Sequence, residues 1–497
     1  MKDHIIICGL GHVGFSTFEI LRLAKQKIAV ISDQTDDEWR WQVEATGGIF
    51  LEGDARSDKL LIKAGIKEAK AILALTDKDM VNVSIIIDAR NLNPNIKIIS
   101  RMFDTDVGKH ISEAFKVHQV FSTSELAAPI FAIRIYEDSA LAEFSIDPHT
   151  YFISEETGNV VDYEDKGLAI IATLATKSKF LVANPLVRHK KKISKIFLFL
   201  RKFSYLRSPI FANFRRFLLV LLCVILLSAL FLKWAMSLPF IDALYFVTTT
   251  VTTVGYGDFN FSHSAAWLKL FGCLLMLSGA AALAILFSSI TEIILTNKLP
   301  SILGGRLVPR KNHVIVVGSG HIGHRLVTNL VEDKFSIVVV EDDTRGRYAE
   351  DLKRQVALVD GNPRSSNTLA RANVKKAKAI IVITEDDVEN LSVSLAARKL
   401  NPAIINIVQV FNSRLAEKLQ TALSLNKVLS VSSIAAPYYA AAVFGEKILL
   451  ALTWENQLIF ISEDLDDKEI SASSQYFKIK NKIKKNIKIF SIPLDPQ

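Results

Sequence analysis

Apolar and polar positions follow two different regimes along the chain. Two stretches are apolar throughout. The first runs from Phe217 to Leu232, and to about Met236 with Lys233 snorkelling at its far end; the second runs from Leu270 to Ile290. Both approach the roughly 20 residues that a bilayer core requires. Between them, Pro239 opens an apolar, helix-compatible stretch, Phe240 to Val251, ending in Thr252-Thr253-Val254-Gly255-Tyr256-Gly257-Asp258. The predicted order is span, half-helix, glycine-containing extended loop, span.

Elsewhere short apolar runs alternate with helical patterns. The first such region predicts strands near 4–8, 27–31, 48–51, 71–75 and 96–100, with helices between, which is the pattern of a doubly wound parallel sheet. This region occurs twice. His4-Ile-Ile-Ile-Cys-Gly-Leu-Gly-His-Val-Gly14 matches His313-Val-Ile-Val-Val-Gly-Ser-Gly-His-Ile-Gly323, and the match continues one register apart downstream. Gly53 pairs with Gly361, Thr76 with Thr384, Asn82 with Asn390, and Arg90 with Arg398. Asn93-Pro94 pairs with Asn401-Pro402, and Ala127-Ala128-Pro129 with Ala435-Ala436-Pro437. A repeat of this length is a duplicated domain, not a solenoid. Each copy is followed by a shorter mixed tail, expected to be a small α+β lobe.

The charge changes the picture only locally. The net charge of +9 suggests a nucleic-acid partner until it is mapped. Ten Lys/Arg and no Asp or Glu lie between Arg188 and Arg216, and without them the rest of the chain stands at −1. A basic stripe abutting an apolar span marks the cytosolic side of a membrane, so no nucleic acid is expected. Within the stripe, Ile193, Ile196, Phe197, Leu200 and Phe203 recur at helical spacing, which fits an interfacial helix or one facing the first soluble domain. Cys8, Cys223 and Cys273 lie far apart in apolar segments, so neither a disulfide framework nor a metal spacing is expected. Met1-Lys2-Asp3-His4 runs straight into the first strand, and no signal peptide is expected.

The Thr-Val-Gly-Tyr-Gly run carries the most specific chemistry. A potassium ion sheds its water in a narrow pore only where backbone carbonyls replace that water, which four chains achieve by each pointing a short strand at one axis. Glycines at 255 and 257 permit the backbone conformations this needs, and the Thr253 hydroxyl can add a ligand at the inner end.

On these residues the chain resembles two-span potassium channel subunits, and its repeat resembles RCK domains, regulators of potassium conductance. The resemblance implies a fold of α/β plus transmembrane α class. It divides the chain into a Rossmann-like N-lobe over 1–140, a small α+β lobe over 141–187 and a basic interfacial linker over 188–216. Transmembrane helices follow over 217–236 and 266–295, with a pore helix and selectivity filter over 239–258 between them. A second N-lobe over 310–449 and a second small lobe over 450–497 complete it. The resemblance makes Thr253, Val254, Gly255, Tyr256 and Gly257 the filter, with potassium at the first four, and Thr252, Asp258 and Tyr245 its support. Tyr245-Phe246 stand where many members carry a tryptophan pair, and Phe246 lacks a ring donor. Gly279 corresponds to the inner-helix hinge or permits close helix packing. Glu292, past the second span, either joins a ring of carboxylates or ends a solvated helix.

Gly9-x-Gly11-x-x-Gly14 and Gly318-x-Gly320-x-x-Gly323 each follow a predicted strand and open a helix, the pattern that holds a dinucleotide's phosphates. The discriminating position is the end of the second strand, where a carboxylate takes a ribose diol. It is Glu341 in the second copy and Ser32 in the first, with Asp33 following but facing away. Asp54 resembles the family's adenosine-side acid; its counterpart is Asn362. The expectation is a homotetrameric channel with an octameric gating ring, gated by NAD(H), an adenine nucleotide or a divalent cation, with both termini cytosolic. No substrate domain or catalytic acid–base pair accompanies the fingerprints, so a dehydrogenase is not expected. The alternative is a nucleotide-sensing regulatory subunit of a potassium transporter.

Overall fold

The computed structural model describes residues 1–33, 36–146, 149–157, 169–173, 179–186, 212–262, 264–295, 306, 308–342, 348–411, 416, 418, 427–464, 475–479 and 482–495. The interfacial segment 192–206 lies outside them. The chain divides into two compact units: Met1–Lys190 with Arg306–Gln497, and Lys191–Gly305.

The first unit holds both soluble copies. In the first copy β1 (Ile5–Cys8), β2 (Ile28–Ser32), β3 (Ile49–Glu52), β4 (Ala71–Ala74), β5 (Lys97–Arg101) and β6 (Gln119–Phe121) form one sheet in the order β3-β2-β1-β4-β5-β6. All its pairings are parallel, with Ile5 opposite Ile28 on one side and Ala71 on the other. The central β1 is fully buried because helices cover both faces, so it is apolar at every position. The expected five strands are present, and β6 is a sixth. Its three residues, one of them glutamine, are too few and too polar to announce a strand.

Each copy's sheet is followed by a four-stranded antiparallel sheet. The first comprises β7 (Ala140–Ile146), β8 (His149–Thr157), β9 (Ala169–Thr173) and β10 (Lys179–Pro185), in the order β7-β8-β10-β9. The second copy repeats the plan. Its parallel strands are β11 (Val314–Val317), β12 (Ile337–Glu341), β13 (Ala357–Asp360), β14 (Ala379–Val382), β15 (Ile405–Val410) and β16 (Lys427–Ser430), ordered β13-β12-β11-β14-β15-β16. Its antiparallel strands are β17 (Glu446–Trp454), β18 (Gln457–Asp464), β19 (Gln475–Ile479) and β20 (Lys482–Pro493), ordered β17-β18-β20-β19. The lobes expected to be α+β are thus all strand among the described residues. Alternating burial along β7 shows why: one face is packed and one is open, a period of two rather than of a helix.

The two copies exchange helices. Helix Thr123–Ile133 of the first copy packs Ala127, Ala128, Phe131 and Ala132 against Leu326, Val327 and Leu330 of the second. Helix Val431–Phe444 of the second copy returns the contact, packing its alanines and Tyr439 with Phe15, Phe18 and Leu21 of the first. Runs of alanine let these helices approach closely. Their carbonyl ends are held by lysines from the opposite copy. Lys97 Nζ donates to the carbonyls of Gly445 at 3.0 Å and Val443 at 3.4 Å. Lys427 Nζ donates to the Arg134 carbonyl and pairs with Asp138 at 3.0 Å. A cation there satisfies carbonyls with no helical partner and complements the helix dipole. Only 7% of the Lys427 side chain is exposed, so its replacement leaves a carbonyl unmet rather than hydrated. Lys427→Met is expected to lower the stability of the soluble unit by about 1.5–3 kcal/mol, read as an earlier urea midpoint. An unchanged midpoint would show the contact to be idle.

The second unit contains helices Ala212–Met236, Phe240–Val251 and Ala266–Leu295. Phe217–Met236 and Ala266–Ser288 are long and apolar enough to cross a membrane. The shorter middle helix packs Ala243, Phe246, Val247 and Val251 against Ala229, Leu232, Leu268 and Leu275 of the two long ones. Much of the remaining apolar surface faces outward, including Leu219, Val220, Leu227, Leu270, Leu277 and Phe287, as it does on helices whose solvent is lipid or other helices.

Candidate functional site: a carbonyl-lined loop and two glycine-loop clefts

Helix Phe240–Val251 starts at Pro239, whose fixed φ suits a helix start and whose missing N–H costs nothing there. Its threonines bond back to the helix: Thr248 to the Leu244 carbonyl, Thr249 and Thr250 to that of Phe246, and Thr252 to that of Thr248. The chain then reverses into the Thr253–Gly257 loop, where the Thr253 N–H donates to the Thr250 carbonyl at 3.1 Å. The Thr249 carbonyl accepts the N–H groups of Val254 at 2.9 Å and Gly255 at 3.1 Å. The sequence does not mark Thr249, because a backbone carbonyl leaves no side-chain signal.

Within the loop φ is positive at every second residue: Thr253 at 61°, Gly255 at 52° and Gly257 at 83°. Residues that alternate in hand turn successive peptide groups the same way, so N–H groups gather on one side and carbonyls on the other. A β-branched residue with positive φ is an outlier, and Thr253 is therefore held by its surroundings. Val254 is 53% and Tyr256 73% exposed in the isolated chain.

The phenol of Tyr245 lies beside Asp258, bringing together two of the three expected supports. Thr252, the third, is spent on the helix end. Phe246 is buried against Phe261 at 5.0 Å and Phe259 at 6.1 Å, both from the loop after Gly257. Of the two roles open to Gly279, the structure supplies the packing one. A Cβ there would lie 2.8 Å from the Cα and the carbonyl oxygen of Val251, where helix Phe240–Val251 ends. Both are backbone atoms, which yield only if that helix moves. Gly279→Leu is expected to cut ion flux more than about tenfold while leaving the soluble unit's unfolding unchanged. Wild-type flux in this variant would remove the packing role. The Glu292 side chain lies outside the described residues.

In the soluble unit both glycine fingerprints fall between a buried strand and a helix, as expected. Gly9 and Gly318 have φ of 95° and 99°. A Cβ on Gly14 or Gly323 would sit 2.1 Å from the carbonyl oxygen of the first glycine, so both serve the fold itself. Gly11 and Gly320 differ: a Cβ there would meet nothing within 4 Å. Packing does not require these two glycines, and the open approach to a helix N-terminus fits an incoming phosphate.

Ser32 and Glu341 occupy equivalent places. Ser32 Oγ accepts the Leu10 N–H at 3.2 Å, and Glu341 Oε2 accepts the Ser319 N–H at 2.6 Å. Asp54 is engaged locally. It accepts the Arg56 N–H at 2.9 Å and pairs with the Arg56 guanidinium at 2.6 Å, which holds its carboxyl below the usual range. Asn362 makes the same turn with the Arg364 N–H at 2.8 Å. The repeated Thr and Asn also share one structural task. Asn82 Oδ1 accepts from Thr76 Oγ1 at 2.7 Å and Asn390 Oδ1 from Thr384 Oγ1 at 2.8 Å, closing the turn after β4 and after β14.

Comparison with known proteins follows the same division. The TrkA-N domain matches residues 5–123 and again 314–431, and the ion channel domain matches 219–296. Potassium channel protein 1 of Methanocaldococcus jannaschii is 25% identical over 209 residues, 41% of this chain and 62% of that protein. A Trk system potassium uptake protein TrkA homolog of Pyrococcus horikoshii is 39% identical over 106 residues, 21% of this chain and 45% of that protein. The matches span 31%, 58% and 62% of the length of three curated relatives, so the chain covers less than two thirds of each. Among solved structures, the GsuK channel has a TM-score of 0.54 at 15% identity, over 89% of this chain and 64% of that one. The GsuK channel bound to NAD has a TM-score of 0.52 at 15% identity, over 93% and 67%. At that identity the likeness is one of fold. The chain is a membrane protein with an ion channel domain between two Rossmann-like domains. The relatives named above are a potassium channel protein and a Trk system potassium uptake protein homolog, and the GsuK channel shares the fold.

Proposed function

We propose that this chain forms, as a homotetramer, a potassium-selective channel of the cell membrane, gated from the cytosol by an adenine nucleotide or dinucleotide. The observation that carries this reading is the loop Thr253–Gly257, with alternating hand, seated on a short helix between two apolar helices. Irregular backbone at membrane depth is tolerated where it lines a watery path or is buried in protein. The exposure of Val254 and Tyr256 in one chain is what a path shared by four chains would use. Two spans put both termini on one side, and the basic stretch 188–216 assigns that side to the cytosol. Four chains would bring eight Rossmann-like domains, the number an octameric gating ring needs.

For the gating ligand, the open approaches at Gly11 and Gly320 favour phosphate. A GsuK channel has been solved with NAD, on the same fold. The phosphate-facing groups would be the backbone of the two glycine loops, with Glu341 for a ribose diol. A ligand shifts the open–closed equilibrium only by its differential affinity for the two states, so the ring must change shape between them.

Purified chain alone in liposomes is expected to pass potassium well over sodium, with flux that responds to nucleotide. Equal sodium and potassium flux would defeat the filter assignment. Nucleotide binding with no flux at all would favour the regulatory subunit of a transporter.

A further inference from the structure

The two phosphate-facing loops of one chain are joined by reciprocal contacts. The residue after Gly11 is His12, the first of its helix, and its ring stacks on Phe411 of the second copy, with centroids 5.3 Å apart and planes at 24°. The residue after Gly320 is His321, likewise the first of its helix, and it stacks on Phe103 of the first copy at 4.6 Å and 26°. Each phenylalanine is itself pinned. The Phe103 N–H donates to the Asp79 carboxylate at 2.9 and 3.1 Å, and the Phe411 N–H to that of Asp387 at 3.0 and 3.1 Å.

Those two acids open helices Asp79–Leu92 and Asp387–Leu400. The same helices carry Asn82 and Asn390. Their amides donate to the carbonyls of Arg101 at 2.9 Å and Gln409 at 3.2 Å, tying the turn at Thr76 or Thr384 to the segment that bears the phenylalanine. Each turn in turn lies against the first glycine of its own copy's loop. A Cβ on Gly9 would be 3.0 Å from the Thr76 nitrogen, and one on Gly318 would be 2.6 Å from the Ile383 carbonyl. The path closes on itself. It runs from the first loop through His12, Phe411, Asp387 and the Thr384 turn to the second loop. It returns through His321, Phe103, Asp79 and the Thr76 turn.

We infer that the two nucleotide clefts of one chain are coupled through this ring of contacts, so that occupancy of one changes the affinity of the other. The inference rests on the nucleotide reading above. The helix N-terminus that would take phosphate begins, in each copy, with the histidine that touches the other copy. A ligand that shifts that residue shifts its stacking partner. The two ends are not identical. His12 meets the edge of Trp39 at 5.2 Å, whereas His321 Nδ1 is hydrogen-bonded to the Tyr348 hydroxyl at 2.9 Å. The two sites therefore report their occupancy from different starting states.

The structure also supplies clean blocking variants. A Cβ at Gly11 or Gly320 enters the ligand's approach and meets nothing within 4 Å, and the φ values of −78° and −64° accept leucine. Gly11→Leu isolates the second site and Gly320→Leu the first. Full-length chain in detergent is titrated calorimetrically with ADP and, separately, with NAD. The product of the two binding constants of the wild type is expected to differ at least about fivefold from the product of the isolated-site constants. Replacing Phe103 and Phe411 by alanine is expected to bring the two products within about twofold of each other. The leucine variants, which keep volume but not stacking, guard against a loss of folding. Equal products in the wild type, or a difference that survives both phenylalanine replacements, overturns the coupling. Binding confined to one copy also overturns it while leaving the nucleotide reading intact. No binding of either probe overturns both.

Discussion

Alanine at Gly255 or at Gly257 is expected to reduce potassium flux at least about a hundredfold without unfolding the chain. Neither glycine is there for space, since a Cβ at either would meet nothing within 4 Å. The requirement is conformational. Gly255 holds φ at 52° and Gly257 at 83°, and an L residue in the left-handed region pays roughly 1–2 kcal/mol. In the proposed tetramer one substitution enters the ring four times, which brings the total to about 4–8 kcal/mol against the conducting form. Each 1.4 kcal/mol is a factor of ten, so even the lower figure exceeds a hundredfold. Potassium flux into liposomes, set beside the oligomeric state in detergent, checks this. A Gly257→Ala tetramer that conducts like the wild type would show that the alternating backbone is not the conducting geometry.

What the sequence discloses, and what it withholds, follows from where the information is stored. The alternating backbone of Thr253–Gly257 was legible because glycines at alternate positions are themselves the conformational requirement. The Rossmann-like sheets were legible because a strand buried on both faces has to be apolar throughout, as Ile5–Cys8 and Val314–Val317 are. The exchange of helices between the copies was not. Helix Val431–Phe444 is apolar nearly all round, which announces burial but not against what. The anchoring carbonyl of Thr249 was invisible because any residue would carry it. Asp54 is the instructive case. As a carboxylate after the third strand it reads as a ligand group, and the structure also pairs it with Arg56, two residues on. Local side-chain-to-backbone turns of this kind are a standing alternative use for Asp and Asn, and Asn362 performs the same one.

That use of Asp54 sharpens the expected difference between the two clefts. The loop itself asks only for an acceptor facing the N–H of its second residue, and a serine suffices in the first copy. Glu341 meets the same need and brings a negative charge and a second oxygen, which also accepts the Asp342 N–H at 3.1 Å. A carboxylate so placed at the end of the second strand can take a ribose diol; the hydroxyl of Ser32 can make at most one neutral bond. A hydrogen bond to a charged group contributes about 1.5–3 kcal/mol, or one to two decades of affinity. At that position the first copy carries the Ser32 hydroxyl and no carboxylate, and its Asp54 is shared with Arg56. Glu341→Ala, measured in the Gly11→Leu background that isolates the second site, is therefore expected to weaken adenine nucleotide binding roughly ten- to hundredfold. Ser32→Ala in the Gly320→Leu background is expected to change affinity less than about threefold. Glu341→Ser separates loop support from ligand contact: it should keep the wild-type unfolding midpoint and still lose affinity. If Glu341→Ala leaves affinity unchanged while Ser32→Ala abolishes it, the assignment of the stronger site to the second copy is reversed.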